Sequence, residues 1–142
     1  MDSSDDRIRP SLIFLVTCDA IGHGPDGKKT FYGVFDQILA RQFPCIHPQM
    51  AIIVKWGLGM GAHEMKIRIA TSDSDVIFET PQALKFQMND PLVSVDLVIN
   101  IQNLRIPKAG VYYVRILLDD EWIETERTLL VSQIGQQGGN GR

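Results

Sequence analysis

The sequence predicts an all-β fold: a single antiparallel β-sandwich of about eight strands, immunoglobulin-like in shape. Three observations carry this. Apolar and polar residues alternate at period two in segment after segment. The alternation is best at 93–101, where Val93, Val95, Leu97, Ile99 and Ile101 face one way and Ser94, Asp96 and Asn100 the other. Gly, Pro, Asn and Asp punctuate the chain between these segments. In residues 104–118, Pro107 and Gly110 close one strand and Tyr112 opens the next, with Val114, Ile116 and Leu118 in phase with it. That pattern is a tyrosine corner, in which the hydroxyl bonds back to the upstream backbone. No segment has helical periodicity.

The elements follow in order. The first strand is 11–18, and a loop marked by Gly22, Gly24, Pro25 and Gly27 follows it. The second strand is 30–40, and Pro44 and Pro48 bracket the next connection. The strand 49–56 sets Met50, Ile52, Val54 and Trp56 on one face, and Gly57, Gly59 and Gly61 end it. In 63–70, Met65, Ile67 and Ile69 face in while Lys66 and Arg68 face out. Residues 71–75 form an Asx-rich turn. The strand 76–87 contains Pro81, which marks an edge or a bulge because proline has no N–H for the ladder. The strand 92–101, the corner strand, an Asp119-Asp120-Glu121 turn and a last strand over 122–131 complete the set.

A chain of 142 residues suits one domain, placed at 10–131, with a loose polar arm at 1–9 and a Gly- and Gln-rich tail at 132–142. The net charge of -3, with Lys and Arg scattered, gives no electrostatic reason to expect nucleic acid or an anionic membrane as partner. The acidic start, Met-Asp-Ser-Ser-Asp-Asp, has neither the basic nor the apolar region of a secretory signal. No apolar run approaches the roughly 20 residues of a membrane span. The cytoplasm is the expected compartment, with Cys18 and Cys45 reduced and acting as small packing residues.

Catalytic signatures are absent: no nucleophile elbow, Walker loop, dinucleotide fingerprint or His-Glu-x-x-His. The Gly57–Gly61 run is a turn, since it lacks the strand–loop–helix setting and the Lys-Ser/Thr of a phosphate loop. His23, His47 and His63 do not combine with the cysteines into a zinc-ligand spacing. No catalytic residue, cofactor or metal is therefore assigned. If strands alternate in direction, one end of the sandwich gathers Asp19, Asp26, Asp90, Asp119 and Asp120. Those carboxylates either serve Ca²⁺ or simply fill turns. Trp56 is a core residue by phase. Trp122, just past a turn, is expected to be partly exposed.

The strands 11–18 and 30–40 are apolar on both faces. A sandwich buries only one face of each sheet, so the surplus needs a covering chain segment, a partner or a second copy. A twofold homodimer is expected, with Ile13, Leu15 and Phe35 at or near the contact and with Leu15→Glu giving a folded monomer.

The strings Phe14-Leu15-Val16-Thr17-Cys18-Asp19 and Thr30-Phe31-Tyr32-Gly33-Val34-Phe35-Asp36, followed by Phe43-Pro44 and Gly110-Val111-Tyr112 with the Leu-Asp-Asp turn, resemble a bacterial family of small β-sandwich proteins of unknown function. The resemblance covers most of 10–131. It implies the fold and a bacterial, cytoplasmic setting, and no site residue. The expected function is that of a non-catalytic protein-interaction or self-associating module. The alternative is a carbohydrate- or calcium-binding module built on the loop carboxylates.

Overall fold

The computed structural model describes residues 7–135. Ten strands follow one another: β1 (Ser11–His23), β2 (Lys29–Val34), β3 (Gln37–Ala40), β4 (Cys45–Gly57), β5 (Gly61–Thr71), β6 (Val76–Glu79), β7 (Leu84–Met88), β8 (Val95–Ile106), β9 (Gly110–Leu118) and β10 (Glu121–Gln133). They form a four-stranded sheet ordered β2-β1-β4-β8 and a larger one ordered β3-β10-β9-β5-β6, with β7 also on β5. The larger sheet contains one parallel pair, β3 with β10; the other strand pairs among the described residues are antiparallel.

Two splits account for ten strands rather than eight. Pro81 divides the expected 76–87 strand into β6 and β7. The expected 30–40 strand breaks between Val34 and Gln37, and its halves join different sheets. Thr17 holds this crossover. Its carbonyl accepts from the Phe35 N–H at 3.0 Å, and its hydroxyl donates to the Phe35 carbonyl.

Between the sheets lies the main core. Leu15, Ile52, Val54 and Trp56 from the smaller sheet meet Ile67, Ile69, Val114 and Ile116 from the larger. The tyrosine corner is present: Tyr112 is fully buried and its hydroxyl donates to the Lys108 carbonyl at 2.7 Å.

A second, smaller core lies on the outer face of the four-stranded sheet. Cys18, Ala51 and Ile53 are buried there, with Phe14, Val16, Ile21, Phe31 and Val98 packed around them. The cover is the chain itself. Strand β1 pairs with β4 up to Cys18 and with β2 beyond it. Phe31 pairs with Ile21, seven residues from Phe14, a distance of about 23 Å along a straight strand. Yet the Phe14 and Phe31 ring centroids are 5.9 Å apart. The strand therefore bends, and the β1–β2 hairpin folds back over the sheet. Lys29 secures it on Asp96 of β8 at 3.2 Å, and Lys55 joins the same carboxylate at 3.1 Å.

The ends of the domain differ from expectation. Residues 7–9, expected in the loose arm, are tied down. Ile8 bridges Met60, and Arg9 pairs with Glu121 at 2.6 Å. Strand β10 runs to Gln133, two residues into the expected tail. The rest of that arm and tail, 1–6 and 136–142, lies outside the described residues.

Candidate functional site

One end of the sandwich holds a cleft of about 670 Å³, bordered by Arg7, His63, Glu64, Lys85, Phe86 and Asp119. Its floor comes from local sequence. Asp119 and Asp120 occupy a two-residue hairpin turn, with φ of 48° and 66°. Aspartate tolerates the left-handed region better than most residues, and this turn type requires it at both positions. The turn delivers the Asp119 carboxylate to β5. One oxygen accepts the Glu64 N–H at 2.9 Å, and the other lies 2.7 Å from His63 Nδ1. The His63 Nε2 faces the Met60 carbonyl at 2.9 Å. This histidine is only 5% exposed, and both its nitrogens are engaged by acceptors. It therefore has no nitrogen to offer a metal or a substrate. Its role is to clamp the β4–β5 connection to the β9–β10 turn.

Beside the cleft the surface turns apolar. Leu58 is exposed with a φ of 58°, and its N–H donates to the Pro91 carbonyl at 3.0 Å. Leu92, 86% exposed, and Val93 follow directly. Ile13, at the β1 bulge, lies over Gly57, so that any side chain there would meet it. A left-handed leucine is uncommon and unfavourable. Here it presents an apolar side chain to solvent.

The expected interface residues separate. Ile13 is 53% exposed and belongs to this surface. Leu15 does not: at 1% exposure it lies in the main core, because the β1 bulge between Leu12 and Phe14 sets it inward, opposite Val54. Phe35 is half-buried at the crossover, packed against the same core and 5.6 Å from the His47 ring. Burial lowers the His47 pKa, which favours the neutral ring beside Phe35.

The loop carboxylates separate too. Asp119 is engaged as described. Asp90 accepts the Leu92 N–H at 2.9 Å, an Asx turn. Asp120 fills the hairpin turn, and Asp26 lies in the β1–β2 loop. Among the described residues no three His, Cys, Asp or Glu side chains converge as a metal would need. Both cysteines are free, and burial pushes both thiols up, away from the reactive thiolate. Trp122 is 37% exposed, as expected, and packs against Arg68 and Arg115. Sequence reasoning missed the clamp. The available signal was His63 itself, a polar residue in phase with the inward Met65, Ile67 and Ile69.

Two packed β-sheets around one core, with Greek-key-like crossings between them, define an all-β sandwich of the immunoglobulin-like class. Within that class the chain belongs to DUF6941, a family of unknown function, whose model matches residues 13–132. No curated protein matches the sequence. Among solved structures it is similar to the CARDB domain of the PF1109 protein from Pyrococcus furiosus, determined in complex with di-metal ions. That likeness has 14% identity, covers 86% of this chain and 88% of that one, and has a TM-score of 0.40. At this distance it carries no functional argument. Among the described residues no helix is long and apolar enough to cross a membrane.

Proposed function

We propose that the domain is a non-catalytic interaction module that self-associates, or docks on another protein, through the apolar end surface of Ile13, Leu58, Leu92 and Val93. One observation carries the reading. Four exposed aliphatic side chains border a single end, one of them held there in an unfavourable backbone conformation. Contiguous exposed apolar surface marks contact sites. The first occupant to test is a second copy, since a twofold contact is the commonest cover for such a surface. The engaged nitrogens of the sole buried histidine among the described residues support a non-catalytic role. The reading assumes a cytoplasmic setting, supported by the two free thiols.

Sedimentation velocity over a wide concentration range tests it, with wild type beside Leu58→Asn/Leu92→Asp. Asparagine adopts a positive φ more readily than leucine, so the variant should keep its melting temperature while losing the dimer. A wild type that stays monomeric throughout, with the variant indistinguishable from it, removes self-association.

A further inference from the structure

The outer face of the larger sheet carries a cross-strand row of charge. Glu79 on β6 stands opposite Arg68 on β5, Arg68 opposite Arg115 on β9, and Arg115 opposite Glu126 on β10. The two arginines in the middle are like charges directly facing, an arrangement that destabilises a sheet unless something lies between or over them. The flanking acids compensate only loosely. Arg68 Nε is 3.7 Å from Glu79, and Arg115 Nε is 3.4 Å from Glu126. Both Nε atoms are buried and neither makes a hydrogen bond. Trp122 packs on both guanidiniums, with ring-centroid distances of 4.6 and 4.8 Å, and so fixes them side by side.

Next to this pair the sheet is hollow. The following row along the strands is Ala70 opposite Tyr113, and the small Ala70 side chain leaves space that a longer one would fill. The hollow has a volume of about 320 Å³, bordered by Arg68, Arg115, Tyr113, Ser72, Ser74 and Glu126 among others. That is several times the ~30 Å³ share of a water molecule. Two guanidiniums meet hydroxyl-bearing side chains at one small concavity, and guanidinium donors match the oxygens of a phosphate.

The geometry points to an oxyanion site in the hollow over Ala70. A phosphate-type group is held there by Arg68 and Arg115, with Ser72, Ser74 and Tyr113 supplying hydroxyl donors. A tetrahedral dianion would relieve the like-charge contact between the two guanidiniums, whereas the Glu126 carboxylate at the border works against any anion and limits the affinity. This site lies on the face of β5, β9 and β10, apart from the apolar end surface, and does not depend on it.

Titration of the full chain with inorganic phosphate, followed by the amide signals of Ser72 and Tyr113 and the indole N–H of Trp122, tests the assignment. Saturable one-to-one binding is expected. Arg68→Gln or Arg115→Gln should weaken it about tenfold or more, the worth of one charge-assisted hydrogen bond. Lys66→Gln, the neighbouring cation on the same strand, should leave it unchanged. Ala70→Phe keeps both arginines but places a ring in the hollow, and should abolish binding in a protein that still melts cooperatively. Tighter binding of phenyl phosphate than of inorganic phosphate would assign the site to an esterified group, and equal binding to the free anion. The assignment is overturned by an absence of saturable shifts up to about 10 mM phosphate. Binding that survives Ala70→Phe, or that falls equally with Lys66→Gln, overturns it as well.

Discussion

The two faces of the four-stranded sheet are both buried, by different means. The inner face meets a second sheet, and Leu15, Ile52, Val54 and Trp56 join a core built from nearly every strand. The outer face meets only the β1–β2 hairpin, and Cys18, Ala51 and Ile53 are sealed by a handful of half-buried neighbours. The difference teaches that apolar residues on both faces of a strand do not by themselves call for a partner. A bend in the same strand can supply the cover. It also predicts unequal consequences. The inner face is inseparable from the fold, whereas the outer core can open as a local unit.

The sharpest test of that inequality is Leu15→Glu. With Leu15 buried between the sheets, a carboxylate there has no solvation or partner, and the cooperative thermal transition should vanish. The milder Leu15→Ala should cost about 2–5 kcal/mol in denaturant unfolding. A folded Leu15→Glu monomer would return Leu15 to the surface and break the comparison. Phe31→Ala attacks the outer core instead. The ring is only part-buried, so the cost should be about 1–3 kcal/mol, at the low end for phenylalanine or below it. Amide exchange should quicken across 19–34 and not in β5 or β9. Uniform acceleration would mean that the hairpin is no separate unit.

The smallest effect concerns Asp96. Burial works to raise its carboxyl, but hydrogen bonds and charge from Lys55 and Lys29 outweigh that and hold it below the ordinary aspartate value. A carboxyl depressed on folding contributes stability that is present above its unfolded pKa, near 4, and is lost as pH falls through the folded value. The hairpin should therefore loosen only in acid, seen as movement of the Phe31 ring resonances below about pH 4. An identical titration in Asp96→Asn would assign that movement elsewhere.

How much of this was legible depends on what period-two reasoning can see. Alternation placed β5, β9 and the inner face of β4 with the right residues inward, and Pro107, Gly110 and Tyr112 located the corner. It could not show that 30–40 changes sheets, because each half still alternates. Nor could it show the bend at Cys18, since Asp19-Ala20-Ile21-Gly22-His23, the second arm of β1, lacks apolar alternation and reads as the start of the loop. Leu15 was misplaced for a related reason: a bulge shifts the phase by one residue, and a one-residue slip exchanges the faces. The clamp of His63 on Asp119 and the facing of Arg68 with Arg115 depend on strand neighbours 56 and 47 residues apart by number. Sequence patterns along one strand do not encode which strand lies next to it.

The parallel pairing of β3 with β10 has a consequence for the order in which the domain closes. Residues 37–40 find their ladder partner only in residues 130–133. The edge of β1 that β2 leaves unpaired is likewise stoppered late, when Arg127 donates through Nε and an Nη to the Leu15 carbonyl at 3.1 and 2.9 Å. A ribosome delivering the chain from its N-terminus thus releases β1, β2 and β4, with the Thr17–Phe35 bonds already possible, well before β3 can find its ladder. The seam between β3 and the larger sheet stays open until the tenth strand emerges to pair with it. Loss of those few C-terminal residues would leave β3 without its ladder partner, a raw edge of the kind at which β-proteins are most prone to pair with the wrong neighbour.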